Sequence, residues 1–411
     1  MPVASDLNIP VDQTPVSDPR RVLFGVGINH ALHDGYTDLI YVLLPVWQNE
    51  FALGYATLAL LRTLYSGALA AFQVPSTLLA KSLGIRTVLV LGTLLSATGY
   101  AFAGASGGLV GLCAALALGG IGSSTQHPLA SSMIARAYGR SARGPLGTYN
   151  FAGDIGKASV PPLIGYLLTI WNWRSALWII AGLGMIVAVI IAYLLPNDRS
   201  LESPRRPERS RDDHPGGASQ TGRTGFGLLL AIGVLDNSAR PAFLLYLPFL
   251  LQEKGAALPT VGLALSLVFL GGAFGKAVCG WLGDRVGVTR TVIFTEAGTA
   301  ITILAVISLP LAPALVLLPL LGVMLNGTSS VLYGTVPELA TGGRVEHAFA
   351  VFYTCTLGGS AVAAPLLYGR LGDAFGPAWA ATASAATALT VIPLMLALSP
   401  VLSRGTSPTK M

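Results

Sequence analysis

Residues 197–223 read NDRSLESPRRPERSRDDHPGGASQTGR. This stretch is charged, rich in Pro and Gly and without hydrophobic period, as a flexible loop is. It interrupts a chain of 411 residues that is otherwise 53% hydrophobic and only 11% charged, with a mean hydropathy of +0.65. A soluble protein carries nearer a quarter charged residues. Working outward from the loop, six apolar runs precede it, at 22–47, 53–80, 86–104, 108–137, 143–169 and 174–195. Six follow it, at 225–252, 258–282, 289–309, 312–337, 345–369 and 378–401. About 20 apolar residues cross a bilayer as a helix, and membrane helices tolerate the Gly and Pro these runs contain. A large soluble α/β enzyme is excluded by the number and length of the runs. The expectation is an all-α membrane protein of twelve transmembrane helices in two six-helix bundles. A tail (1–21), an N-terminal bundle (22–195), a linker (196–224), a C-terminal bundle (225–401) and a second tail (402–411) follow from these boundaries.

The two sides of the loop repeat each other at an offset of 203–205. Leu32-His33-Asp34 aligns with Leu235-Asp236-Asn237, Pro45 with Pro248, and Glu50 with Glu253. The turn with Lys81 and Gly84 aligns with Asp284 and Gly287; Gly122-Ser123-Ser124 aligns with Gly327-Thr328-Ser329; Pro161 and Gly165 align with Pro365 and Gly369. Two parallel six-helix halves imply a pseudo-two-fold axis along the membrane normal, with a substrate site near mid-membrane between them.

Charge sets the expected orientation. With the N-terminus cytoplasmic, 18 of the 25 Lys and Arg fall in cytoplasmic segments and three (Arg174, Lys254, Arg370) in outer ones. That asymmetry is the positive-inside signal. It accounts for the net charge of +6 without nucleic acid as a partner. Residues 1–20 are polar, so no cleavable signal peptide is expected. The reading is a multi-pass protein of a bacterial inner (plasma) membrane, with both termini cytoplasmic. Cys113, Cys279 and Cys355 sit far apart in apolar runs and read as packing residues.

Gly280-Trp281-Leu282-Gly283-Asp284-Arg285-Val286-Gly287 resembles the G-x-L-x-D-R-x-G loop signature of the major facilitator superfamily, and Trp173-Arg174 resembles its W-R pair. Within it, Gly122-Ser123-Ser124-Thr125-Gln126-His127-Pro128 is similar to the G-S-S-x-x-H-P stretch of the fosmidomycin-resistance branch, and His30-Ala31-Leu32-His33-Asp34 to its H-x-x-N-D. The resemblance implies the major facilitator fold of two pseudo-symmetric bundles, a monomer, a gating role for Gly280, Asp284, Arg285 and Gly287, and export of a small phosphonate in exchange for protons. Two departures stand out. The first-half loop has Lys81-Ser82 where the signature has Asp-Arg. Span five carries Gly153-Asp154-Ile155-Gly156-Lys157, which adds two charges to a stretch the branch keeps neutral.

Ionisable groups inside a bilayer are costly and mark a cavity or a partner. His30, Asp34 and Asp38 are spaced i, i+4, i+8 on span one and share a face. They are candidates for proton coupling, the alternative being a static polar network. Asp154 and Lys157 (i, i+3) and Asp236 and Arg240 (i, i+4) are expected to pair within their own helices. Arg62 lies at the depth of Asp38, its expected partner, or grips an anion with its planar fork. His127, before the helix-kinking Pro128, is a candidate substrate donor. Proton-coupling candidates are thus Asp34, Asp38, His30, Asp154 and Asp236; substrate-binding candidates are Arg62, His127, Lys157 and Arg240. Lys276 is expected at an inner gate with Asp284 and Arg285, and Glu296 has no assigned role.

These residues suggest a secondary active transporter that moves a small organic solute, anionic or zwitterionic, by alternating access. Proton-coupled efflux is the first reading and proton-symport uptake of an organic acid the alternative. No H-E-x-x-H or metal spacing and no G-x-x-x-x-G-K-[ST] loop occurs, so neither an enzyme, a metal, a cofactor nor ATP drive is expected. The partners are then substrate, protons and lipid.

Overall fold

A computed structural model describes residues 18–196, 220–340 and 345–405. Residues 1–17, 197–219, 341–344 and 406–411, with Arg199, Arg205, Arg206, Arg209, Arg211, Arg344 and Lys410, lie outside it. The described chain is helical: α1 (Pro19–Phe51), α2 (Tyr55–Ala71), α3 (Gln73–Leu83), α4 (Ile85–Ala105), α5 (Leu109–Ser123), α6 (Gln126–Tyr138), α7 (Arg143–Ile170), α8 (Trp173–Leu194), α9 (Gln220–Glu253), α10 (Leu258–Val286), α11 (Val288–Ser308), α12 (Leu311–Leu339), α13 (Val345–Ala363), α14 (Arg370–Phe375) and α15 (Pro377–Gly405).

Twelve apolar runs give fifteen helices because proline breaks three of them. A proline at i leaves the carbonyl of i−4 without its helical donor. Pro75 frees Ala71, where α2 ends; Pro128 frees Ser124, between α5 and α6; and the π-helical turn Ala364–Gly369 between α13 and α14 contains Pro365. Eight spans are apolar and long enough by themselves to cross a membrane. The other four are α1 and α7, which carry the charged stripes, and the broken spans α2–α3 and α13–α14. Large apolar side chains such as Val189, Tyr193, Phe274 and Trp379 stand exposed around the periphery. A soluble surface would not carry so many.

The halves meet chiefly at α7 against α10 and α2 against the α13–α14 turn. Several of these contacts obey the repeat. Ser266 donates to the carbonyl of Ala158, which Pro162 has freed, and Thr63, 203 residues earlier, lies 3.4 Å from the carbonyl of Ala361. Gly165 packs on Pro259 and Gly369 packs on Ala56, at offsets of 204 and 203. The turns match too: Gly84 has φ 84°, ψ 150° and Gly287 has φ 95°, ψ 150°, a region open essentially to glycine alone.

All these inter-half contacts lie towards the end of the molecule remote from the chain termini. There Asp373 also caps α2, accepting from the amides of Tyr55 (2.5 Å) and Ala56 (3.2 Å). Arg174 braces the same end within the first half. It lies 2.8 Å from Glu50, 3.3 Å from the Ser106 carbonyl and 4.3 Å over the Trp173 ring. At the terminal end, α6 packs chiefly on α1 and α3 chiefly on α4. The protein is sealed at the far end, and its charged cluster lies on the terminal side of the seal.

Candidate functional site

Close backbone contact between α1 and α7 builds the site. Gly35 on α1 lies against Val160, and Gly156 on α7 lies against the Ala31 carbonyl. This spacing lets Lys157 Nζ reach Asp34 Oδ2 at 3.0 Å. His30, Asp34 and Asp38 are all buried on α1. His30 Nδ1 lies 2.8 Å from the Tyr149 carbonyl, and its ring stacks on that tyrosine at 4.0 Å. A carbonyl only accepts, so Nδ1 carries a hydrogen. Nε2 then faces Asp34 Oδ2 at 3.4 Å. Two acceptors cannot face each other without repulsion, so this contact is favourable only with a proton on the imidazole Nε2 or on the carboxyl. His127 Nε2 approaches the other oxygen of Asp34 at 4.0 Å, and the two histidine rings meet edge-on at 5.1 Å.

The ligand atoms of His30, Asp34 and His127 lie within 4.8 Å of one another, a spacing a metal ion could use that no local sequence motif displays. The Lys157 ammonium already holds the cation position on that carboxylate. One turn further along α1, Asp38 lies 3.6 Å from Arg62, whose guanidinium sits 5.0 Å over the Tyr41 ring. Arg62 Nε and Nη1 are buried without a protein hydrogen-bond partner.

One expected pairing is present but shared, and two are replaced. Asp154 and Lys157 stand 4.0 Å apart, while Lys157 also binds Asp34 and Asp154 Oδ1 also binds Lys276 Nζ at 2.7 Å. Lys276 thus pairs across to the first half rather than with Asp284 or Arg285. Its side chain leaves α10 towards the other half, and Arg285 instead covers the Trp281 ring at 4.8 Å. Asp236 and Arg240 form no ion pair. Arg240 donates to Asn326 (3.0 Å) and Asn237 (3.3 Å), whose amide oxygens fix it without a charge. Asp236 instead accepts from Ser329 (3.0 Å), and Glu296 is buried on α11. Among the cysteines, Cys279 is buried and Cys113 half-buried, but Cys355 is exposed and has no packing role.

The family model of the Major Facilitator Superfamily matches residues 26–238 and again 226–411, one match for each half. The chain belongs to this superfamily. Three curated relatives match about two fifths of their own length and of this chain. They are a "Probable hexose phosphate transport protein" of Chlamydia pneumoniae (26% identical; 39% of this chain, 41% of the relative), and a "Probable L-galactonate transporter" of Escherichia coli (27%; 40% and 39%). The third is the fosmidomycin resistance protein of Escherichia coli (23%; 41% and 41%). Among solved structures, a bacterial homologue of the human lysosomal transporter Spinster, inward-facing and unoccupied, superposes with a TM-score of 0.79 at 15% identity (96% of this chain, 100% of that one). A peptide transporter in complex with sulfate gives 0.77 at 12% (94% and 95%). At such identities these structures speak for the superfamily fold alone.

In this superfamily member the signature residues Gly280 to Gly287 close α10, with Gly287 as the positive-φ cap. No side-chain ion pair involves Asp284 among the described residues. Charges and single histidines do not reveal the uncharged layer that lies beneath the cluster. Asn29 donates to Gln126 (2.6 Å), Gln126 donates back to the Val26 carbonyl (3.2 Å), and Thr93 lies 2.8 Å from Asn29 Oδ1. His33 is held between Ser123 (3.0 Å) and Thr93 (3.1 Å). The signal was present as amides and hydroxyls in apolar runs, where each needs a partner.

Proposed function

We propose that this secondary transporter carries a small organic anion by alternating access and couples it to protons at the His30–Asp34 pair. The observation that carries the proposal is the buried carboxylate of Asp34, contacted by Lys157 at 3.0 Å and by His30 at 3.4 Å. Its contact with His30 is favourable only with a proton between them. Arg62, Lys157, Arg240 and Lys276 supply fixed positive charge in the region. His127, Lys157 and Lys276 keep 41%, 27% and 43% of their side chains exposed, so cargo has access to them. A hexose phosphate, L-galactonate and fosmidomycin, named for the three relatives, are all anions at neutral pH.

The charge bias of the connecting segments supports a cytoplasmic terminal end, and in this reading the membrane is a bacterial inner membrane. The working unit in this reading is the monomer. Efflux of a drug-like anion against protons is the first direction, in line with the fosmidomycin resistance protein. Proton-symport uptake is favoured by a different observation: every aspartate of the α1–α7 cluster already has a cation partner, so an added anion is balanced most simply by an added proton.

Counterflow in proteoliposomes tests the cargo class. Vesicles preloaded with a phosphonate, a sugar phosphate, a sugar acid or a lipophilic cation receive a trace of the labelled compound. Accumulation of the anions alone is the expected outcome. Accumulation confined to the cation would overturn the anion reading.

A further inference from the structure

The contact between Asp154 and Lys276 ties together the two halves of the transporter. Asp154 is on α7 and Lys276 is on α10, and their 2.7 Å ion pair lies where the α7–α10 seal ends. From the far end inward, that seal runs through Gly165 on Pro259, Gly262 on Pro161, Ser266 on Ala158, and then this pair. The same oxygen, Oδ1, also faces Lys157 at 4.0 Å. One carboxylate oxygen thus sits between two ammonium groups, one from each half.

We infer that Asp154 is a tethered anion occupying the cargo's own place: the anionic group of the substrate binds between Lys157 and Lys276, and it displaces the Asp154 carboxylate to do so. This rests on the anion reading above and adds the position of the anionic head group and the group that competes for it. The chemistry fits a phosphonate, phosphate or carboxylate equally. Each presents an oxygen anion that takes two ammonium partners. The exposure of both lysines makes the position reachable, whereas Asp154 itself is mostly covered.

Displacement has a structural consequence. Empty, the protein holds α7 to α10 through its own carboxylate. Loaded, it holds them through the cargo, and Asp154 is left without its cation. Lys276 becomes a binding residue rather than part of a gate.

A side chain fixed beside a site competes as a ligand at high effective concentration. Removing its charge therefore tightens anion binding, by about tenfold or more. The test is calorimetric titration of the purified full-length protein with methylphosphonate and inorganic phosphate, in wild type, Asp154→Asn and Lys276→Met. Asp154→Asn is expected to bind the probe more tightly, and Lys276→Met at least tenfold more weakly than wild type. Should Asp154→Asn fail to fold, Lys276→Met still decides the matter, because a Lys276 that merely braces Asp154 leaves probe affinity unchanged or raises it. Unchanged or weaker binding by a folded Asp154→Asn, with the wild type binding normally, would overturn the tethered-anion inference alone. An absence of binding to all variants, together with failed anion counterflow, would instead remove the anion reading on which it rests.

Discussion

Asp34→Asn is expected to reduce transport by about a hundredfold or more, equivalent to roughly 3 kcal/mol lost from the loaded, protonated state. The carboxylate is the partner of Lys157 at 3.0 Å, of His30 at 3.4 Å and of His127 at 4.0 Å. An amide keeps the shape and loses both the charge and the exchangeable proton. It also leaves the Lys157 ammonium beside a neutral group at mid-membrane. Removing one member of a buried pair costs about 3–5 kcal/mol, so the variant should unfold at lower temperature as well. Asp34→Asn combined with Lys157→Met separates the two effects. Without the stranded ammonium, thermal stability in detergent should return towards wild type, while transport stays lost. Recovery of transport in the double variant would show that Asp34 serves only to neutralise Lys157.

Gly156→Ala is expected to be the most damaging single methyl group in the first half. A Cβ at this position would fall on the Ala31 carbonyl, closer than any side chain approaches backbone. Neither helix can rotate away, because Gly35 against Val160 closes the same interface one turn further along. Overpacking commonly costs about 1–3 kcal/mol, and here the displaced atoms are backbone, so about 3 kcal/mol or more is expected. Separating α1 from α7 also lengthens the Lys157–Asp34 contact, so activity should fall with stability. Gly182→Ala on α8 is the control: nothing lies within 4 Å of its added Cβ. Its melting temperature in detergent should match or slightly exceed wild type, since alanine favours helix over glycine by about 1 kcal/mol. A Gly156→Ala protein as stable as that control would mean that α1 and α7 are not packed this closely.

Why some of this was legible beforehand, and some not, follows from the range of the forces. The twelve spans were visible because each must be apolar over its whole length, a local property. The repeat was visible because two halves built alike reuse residues at a fixed offset, and Ser266 with Thr63 shows that reuse reaching individual hydrogen bonds. Helix kinks were legible in kind: Pro128 interrupts its span about one turn back, between Ser123 and Gln126. Pairings were the least legible. Periodicity reveals neighbours three or four residues apart on one helix, and so suggested Asp154 with Lys157 and Asp236 with Arg240. The structure prefers partners 122 and 93 residues away, Lys276 and Ser329, because packing brings their helices together and a long or polar side chain takes the nearest partner.

The central claim is that anion movement and proton binding share one cluster on α1, α6 and α7. Uptake of a labelled anion identified by counterflow, measured in proteoliposomes under an imposed pH gradient with the membrane potential clamped at zero, tests it most directly. The account predicts accumulation that follows the pH gradient, collapses when a protonophore removes it and vanishes in Asp34→Asn. Its direction separates symport from exchange. Anion flux of equal size with and without the gradient, and undiminished in Asp34→Asn, would contradict it.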